Sequence, residues 1–177
     1  MTRLRAKPLS EPFHIVLVEP EIPQNTGNIA RLAAATQSPL HLVGKLGFRI
    51  DEHAVRRAGL DYWHLVSLHQ HASFEHFRHA APARRLLLFS AHARTSYVDV
   101  AFRPGDALVF GKESVGLDEE LCGRYADAEL GLIGIPTLGA VRSLNLANAV
   151  SIALFEALRQ TGTLADVFVD DAPQKLG

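Results

Sequence analysis

Ile135-Pro-Thr-Leu-Gly-Ala-Val-Arg-Ser-Leu-Asn-Leu-Ala-Asn-Ala-Val-Ser-Ile-Ala-Leu-Phe-Glu-Ala-Leu-Arg-Gln160 is the stretch on which the fold turns. It opens as a loop, because Pro136 and Gly139 interrupt regular structure. Ser143 suits an N-cap and neither Gly nor Pro recurs before Gly162, which predicts a helix of about five turns. Leu144, Leu146, Val150, Leu154, Phe155 and Leu158, with the interleaved alanines, make that helix apolar on nearly every side. A helix of this kind is buried on several faces. Asn145 and Asn148 share one stripe of its first turns, and a buried amide is costly without a partner. Two readings stay open here: a core helix with two satisfied amides, or a loop and helix start lining a polar ligand site.

Upstream, β-rich runs predict strands over 13–18, 39–43, 62–68, 85–89, 107–110 and 129–135. Between them, helices are predicted from the Glu19–Asn28 loop to about Thr36, then over 51–57, 73–80 and 117–124. The alternation indicates an α/β fold, a mostly parallel sheet flanked by helices. In such sheets ligands sit beyond the carboxyl ends of strands, so the loops after Val18, Phe89, Phe110 and Ile135 are the natural site. The domain reading is a flexible basic arm over 1–12, one domain over 13–162 and a flexible polar tail over 163–177.

Composition narrows the function classes. The chain has 177 residues, 47% hydrophobic and 21% charged, the range of a globular domain. Its net charge of -1 means that nucleic-acid contact would rest on local basic patches. A single cysteine, Cys122, rules out an internal disulfide and a cysteine-rich metal site, and fits a cytoplasmic protein. Neither a signal peptide nor a membrane span is visible. His64, His69, His71, His76 and His79 cluster, but at no common zinc spacing, so no metal is expected. The Walker A ending, the Gly-x-Gly-x-x-Gly fingerprint and the Gly-x-Ser-x-Gly elbow are all missing.

Two segments carry candidate chemistry. Asn25, Asn28 and Arg31 are spaced i, i+3, i+6 on one side of a helix whose other side is Ile29, Ala30, Leu32 and Ala33. Arg31 is either a structurally paired arginine or a cation that, with the amides, grips a phosphate or sugar. The loop Phe110-Gly-Lys-Glu-Ser-Val-Gly-Leu117 allows close backbone approach to a flat or extended ligand. In it Glu113 serves either a ligand or an internal basic partner.

Three stretches in order, Glu19-Pro-Glu-Ile-Pro-Gln-Asn-Thr-Gly-Asn-Ile-Ala-Arg31, Phe110 to Leu117, and Ile135-Pro with Arg142-Ser-Leu-Asn-Leu-Ala-Asn148, resemble the motifs of SPOUT-class RNA methyltransferases. Arg56-Arg-Ala-Gly-Leu-Asp-Tyr-Trp63 further resembles the TrmL or YibK-like subgroup, which methylates the wobble cytidine or uridine ribose of tRNA. The resemblance spans roughly His14 to Gln160. It implies a C-terminal trefoil knot, S-adenosylmethionine as cofactor, and a homodimer through the first and last helices. By position it implies cofactor contacts at Phe89, Gly111, Ile135, Leu138, Ser143 and Asn148. It places Arg31, with Asn28 and Asn145, at the ribose hydroxyl, and assigns substrate contacts to Asn25, Glu113, Arg142, Arg56 and Arg57. Lys112, Val115 and Gly139-Ala-Val141 depart from some members of that group.

The chemistry so implied needs alignment of oxygen, methyl and sulfur, and removal of one proton. A guanidinium stays protonated, which suits Arg31 to stabilising alkoxide charge rather than to acting as a base. Arg3, Arg5, Lys7, Arg49, Arg56, Arg57, Arg84 and Arg85 are candidates for the tRNA grip. Alternatives are a ribosomal RNA substrate, or an RNA- or nucleotide-binding protein without turnover.

Overall fold

In the computed structural model, which describes residues 3–48, 62–81, 85–125 and 131–170, the apolar runs assemble into one parallel sheet. Strand β1 is Arg3–Ala6, β2 His14–Val18, β3 Leu40–Val43, β4 Leu68–His71, β5 Leu86–Phe89, β6 Thr95–Ser96, β7 Ala107–Phe110, β8 Leu132–Gly134 and β9 Val167–Asp170. Seven of them form the sheet in the order β4-β3-β2-β7-β5-β8-β6, and each neighbouring pair is parallel. Helices are α1 Pro23–Thr36, α2 Phe74–Ala80, α3 Glu119–Tyr125 and α4 Leu146–Gln160.

Continuous apolar strands follow from burial on both faces. Successive side chains alternate, so Ile15 and Leu17 join the layer under α1 and α4, while Val16 joins the layer under α2 and α3. The first layer gathers Phe13, Leu42, Phe89, Phe110 and Ile133 around Ile29, Ala33, Val150 and Leu154. The second gathers Val43, Leu88 and Val109 around Phe77 and Leu121. At about 25 cal/mol per Å² of apolar surface removed from water, these two layers supply the main stabilisation. Helix α4 packs on α1 and β7, which makes it a core helix on one side. Its other side leaves Ile152 and Phe155 at 37% and 47% exposure.

Several expectations are corrected. The 62–68 run is a 3-10 turn, Trp63–Leu65, followed by β4. Its aromatic and branched residues have strand composition, but Tyr62, Trp63 and Val66 pack sideways on the core, and packing overrides propensity. Asn145, not Ser143, caps α4: its Oδ1 accepts from the backbone N–H of Ala147 at 2.9 Å and Asn148 at 3.3 Å. Helix α1 begins at Pro23, so Asn25 and Asn28 lie inside it rather than in a preceding loop. The ends also differ from the flexible arm and tail expected. Arg3–Ala6 pairs antiparallel with Val167–Asp170, and an Arg5–Asp170 ion pair at 3.5 Å spans the ribbon. A pairing across the whole chain leaves no local signal in either run. The helix expected over 51–57 lies outside the described residues.

Candidate active site

The carboxyl ends of β2, β7, β5 and β8 deliver four loops to one edge of the sheet. Phe89 and Phe110, register partners on β5 and β7, stack at 4.6 Å and 15° and close the core beneath those loops. Gly111 then leaves β7 where a Cβ would overlap the backbone of Gly116 and Leu117. Only glycine fits that approach. The loop folds back on itself, with the Gly116 N–H donating to the Lys112 carbonyl at 2.8 Å.

The loop after β7 is laced to the loop after β2. The Glu113 carboxylate accepts from the backbone N–H of Glu21 at 2.8 Å and Ile22 at 3.2 Å, and from Asn25 Nδ2 at 3.0 Å. Ile22 gives α1 no side-chain cap, so Glu113 supplies the negative charge and acceptors that the helix N-terminus requires. In return, Glu21 accepts from the Ser114 N–H at 3.0 Å, and hydrogen bonding to Ser114 holds its carboxyl below the usual range. Lys112 Nζ donates to Glu19 at 2.8 Å, and that partner raises the ammonium pKa. Glu19 has a positive φ of 50°, rare for a residue with a Cβ.

Asn25 is buried and carries this network to the third loop. Its Oδ1 accepts from Asn145 Nδ2 at 2.9 Å. The chain Glu113–Asn25–Asn145 therefore joins all three sequence motifs. Glu113 serves backbone amides and an asparagine here, not a basic residue.

The Asn25, Asn28 and Arg31 stripe divides. Each three-residue step drifts 60° around the helix. Asn25 turns inward, while Asn28 and Arg31 are exposed. The Arg31 guanidinium lies over the Tyr62 ring, its Cζ 5.3 Å from the centroid.

Residues 135–139, Val141, Leu144, Tyr97, Val98 and Ile152 of α4 border an open groove of about 650 Å³. That size suits a cofactor-sized ligand. Ile135, Leu138, Val141 and Leu144 give it apolar walls fit for a flat heteroaromatic ring. The exposed run 136–141 puts peptide groups at its rim. Ser143, Arg142 and Asn148 are exposed beside this loop, and Phe89 and Gly111 lie on the neighbouring strand ends. Arg56 and Arg57 fall outside the described residues, as do Arg49 and Arg84.

Arg85 does not belong to an RNA grip. Its guanidinium makes two bonds, 2.9 and 2.7 Å, to the fully buried Asp106 and a third, 2.8 Å, to the Ala101 carbonyl. Lys7 pairs with Asp166 at 2.9 Å and Arg5 with Asp170, so two of the arm cations are neutralised locally.

The histidines form a structural stack. His14 Nδ1 lies 2.9 Å from His41 Nε2, and His41 Nδ1 lies 2.9 Å from His71 Nε2, crossing β2, β3 and β4. His69 stacks on His41, and Phe77 of α2 meets both His41 and His71 edge-on. Burial, with the neighbouring imidazoles His14, His69 and His71, pushes the His41 pKa down to about 3. Burial lowers His14 and His71 as well. Among the described residues no three ligand-type side chains are placed to hold a metal ion. No helix among them is long and apolar enough to cross a membrane.

Sequence reasoning missed Tyr62, Glu19 and Glu21. The alternation Glu19-Pro-Glu21 opposite Lys112-Glu-Ser114 was the available signal, since complementary donors and acceptors recur in both loops.

A parallel sheet with laced loops and an apolar groove at one carboxyl edge defines an α/β protein built to bind a nucleotide-sized ligand. Residues 12–155 match the model of the SpoU rRNA Methylase family. The tRNA (cytidine(34)-2'-O)-methyltransferase of Polaromonas sp. (strain JS666) is 46% identical over 152 residues, covering 85% of this chain and 92% of that protein. The protein of the same name from Acidovorax sp. (strain JS42) is 46% identical over 154 residues, covering 86% and 94%. A solved structure described as giving insights into the 2-OH methylation of C/U34 on tRNA superimposes with a TM-score of 0.76 at 48% identity, covering 85% of this chain and 97% of the other. AviRb of Streptomyces viridochromogenes, a SpoU methyltransferase in complex with AdoMet, aligns with a TM-score of 0.70 at 27% identity, covering 87% and 62%. The chain belongs to the SpoU rRNA methylase family.

Proposed function

We infer that this chain transfers a methyl group from S-adenosylmethionine to the ribose 2'-hydroxyl of cytidine or uridine 34, the wobble nucleotide, of tRNA. One observation carries the reading. Three loops, held together by hydrogen bonds spanning 88 and 120 residues, meet at one sheet edge in a chain related over 85% of its length to enzymes of that activity.

S-adenosylmethionine, when bound, supplies a methyl group already activated by its sulfonium charge. Ile135, Leu138 and Leu144 would hold its adenine by apolar contact, with Phe89, Gly111, Ser143 and Asn148 bordering it. Arg31 stabilises negative charge as it develops on the 2'-oxygen, and Asn28 orients that oxygen. Asn145 acts by fixing its loop against Asn25, and Glu113 by fixing α1. Arg142, Arg56 and Arg57 contact the RNA backbone. Proximity and orientation supply most of the rate.

Residues 13–162 act as one catalytic domain, in agreement with the family match over 12–155. The chain returns from β8 to place Asn145 against Asn25, three strands away, and we read this return as the trefoil knot of the SPOUT fold. Such knots are rare. The enzyme works in the cytoplasm as a homodimer through α1 and α4, a reading supported by the exposed Ile152 and Phe155. The test is Arg31→Ala with cofactor and tRNA saturating. Methyl transfer is expected to fall at least about a hundredfold, as when an oxyanion-stabilising donor is removed. Turnover near that of the parent would contradict the assignment.

A further inference from the structure

The Arg31 side chain is held by an aromatic ring rather than by a carboxylate. Among the described residues it makes no ion pair, and its guanidinium lies over the Tyr62 face, 5.3 Å from Cζ to centroid. Tyr62 is itself well fixed. Its hydroxyl donates to the Gly27 carbonyl at 3.0 Å, one helical turn before Arg31. Its carbonyl accepts from the Leu65 N–H at 2.9 Å, and its ring packs on the main core. The ring therefore spans one turn of α1, tied at Gly27 and lying under the guanidinium.

A carboxylate in that place would fix Arg31 equally well. It would also neutralise the cation and occupy its N–H groups. An aromatic face attracts the guanidinium through the ring quadrupole and leaves the in-plane N–H donors available to an oxygen ligand. We propose that Tyr62 is a positioning residue for methyl transfer: it holds the Arg31 guanidinium in place, with charge and donors unspent, for the reacting ribose oxygen or its phosphate. The proposal rests on the role given to Arg31 above.

The full-length protein is tested with Tyr62→Leu, which removes the ring, and Tyr62→Phe, which removes only the hydroxyl. Each is made in the parent and in Arg31→Ala. Tyr62→Leu is expected to lower kcat about tenfold, between the cost of a lost cation–π contact and that of a misplaced catalytic group. The KM for S-adenosylmethionine should stay within about twofold, because the groove does not include Tyr62. Tyr62→Phe should retain kcat to within about threefold, since the ring face remains. In Arg31→Ala, Tyr62→Leu should cost nothing further, which is the signature of a residue acting through Arg31. The Arg31 Nε–H proton resonance, shifted by the ring current, should move in Tyr62→Leu and stay in Tyr62→Phe.

An equal loss of kcat in both Arg31 backgrounds would overturn the proposal, as would an unmoved resonance in Tyr62→Leu. If Tyr62→Leu does not fold, the Tyr62→Phe spectrum decides: a ring-shifted Arg31 resonance supports the contact and an unshifted one refutes it. Full activity of Arg31→Ala would instead overturn the functional assignment of Arg31, whatever the spectra show.

Discussion

The stacked histidines make stability fall in mild acid. A neutral imidazole offers one donor and one acceptor, so with all three rings neutral the His14–His41 and His41–His71 bonds run in the same sense and no charge is buried. A proton added to His41 places a charge in a buried layer beside three other imidazoles. In the folded chain the His41 pKa lies at about 3, against 6.5 for the free group. The stabilisation is complete above pH 6.5 and is lost as pH falls below it, because the unfolded chain then takes up a proton that the folded chain refuses. The slope is about 1.4 kcal/mol per pH unit, so His41 alone costs roughly 3 kcal/mol by pH 4.5. That is a large part of the roughly 5–15 kcal/mol of a typical domain. His14 and His71 shift in the same direction and add to it. The assay is urea unfolding at fixed protein concentration from pH 7.5 to 4.5, for the parent and His41→Asn. The variant should be less stable at pH 7.5 but lose roughly 3 kcal/mol less than the parent on acidification, since carboxylate titration is common to both. Parallel pH profiles for the two proteins would refute the reasoning.

Other expectations follow from the same contacts. Glu113→Ala should destabilise by about 2 kcal/mol in urea unfolding, because three donors at the start of α1 lose their acceptor, and Glu113→Gln should recover part of the loss. Arg85→Ala should cost about 3 kcal/mol by strandingthe buried Asp106 charge, whereas tRNA affinity measured by filter binding should stay unchanged in the folded fraction. Gly111→Ala should reduce both the yield of folded protein and cofactor affinity by calorimetry, since its Cβ has no room beside Gly116. The affinity for tRNA should fall steeply between about 50 and 200 mM salt as phosphate contacts release counterions.

Much of the sheet was legible because its strands are short apolar runs buried on both faces, and 107–110 matched its observed bounds. The 62–68 run misled because aromatic and branched residues suit either a strand or a core-packed turn. Ser143 misled because it and Asn145 are both good caps, and only the bond that Asn145 donates to Asn25 fixes which one turns toward α4. The motif residues were legible as types. What they touch was not, since Glu113 caps a helix that begins 90 residues earlier in the chain. Tyr62 was hidden for the same reason: nothing local links it to Gly27 or Arg31.

The most direct measurement is methyl transfer from labelled S-adenosylmethionine to bulk tRNA, followed by nuclease digestion to locate the label. The expected result is label on the 2'-oxygen of cytidine or uridine at position 34, with a rate at least about a hundredfold lower in Arg31→Ala. Label at another nucleotide of tRNA, or cofactor binding with no label on tRNA, would contradict the assigned substrate, and absence of both cofactor binding and transfer would contradict the reading of the groove and its loops.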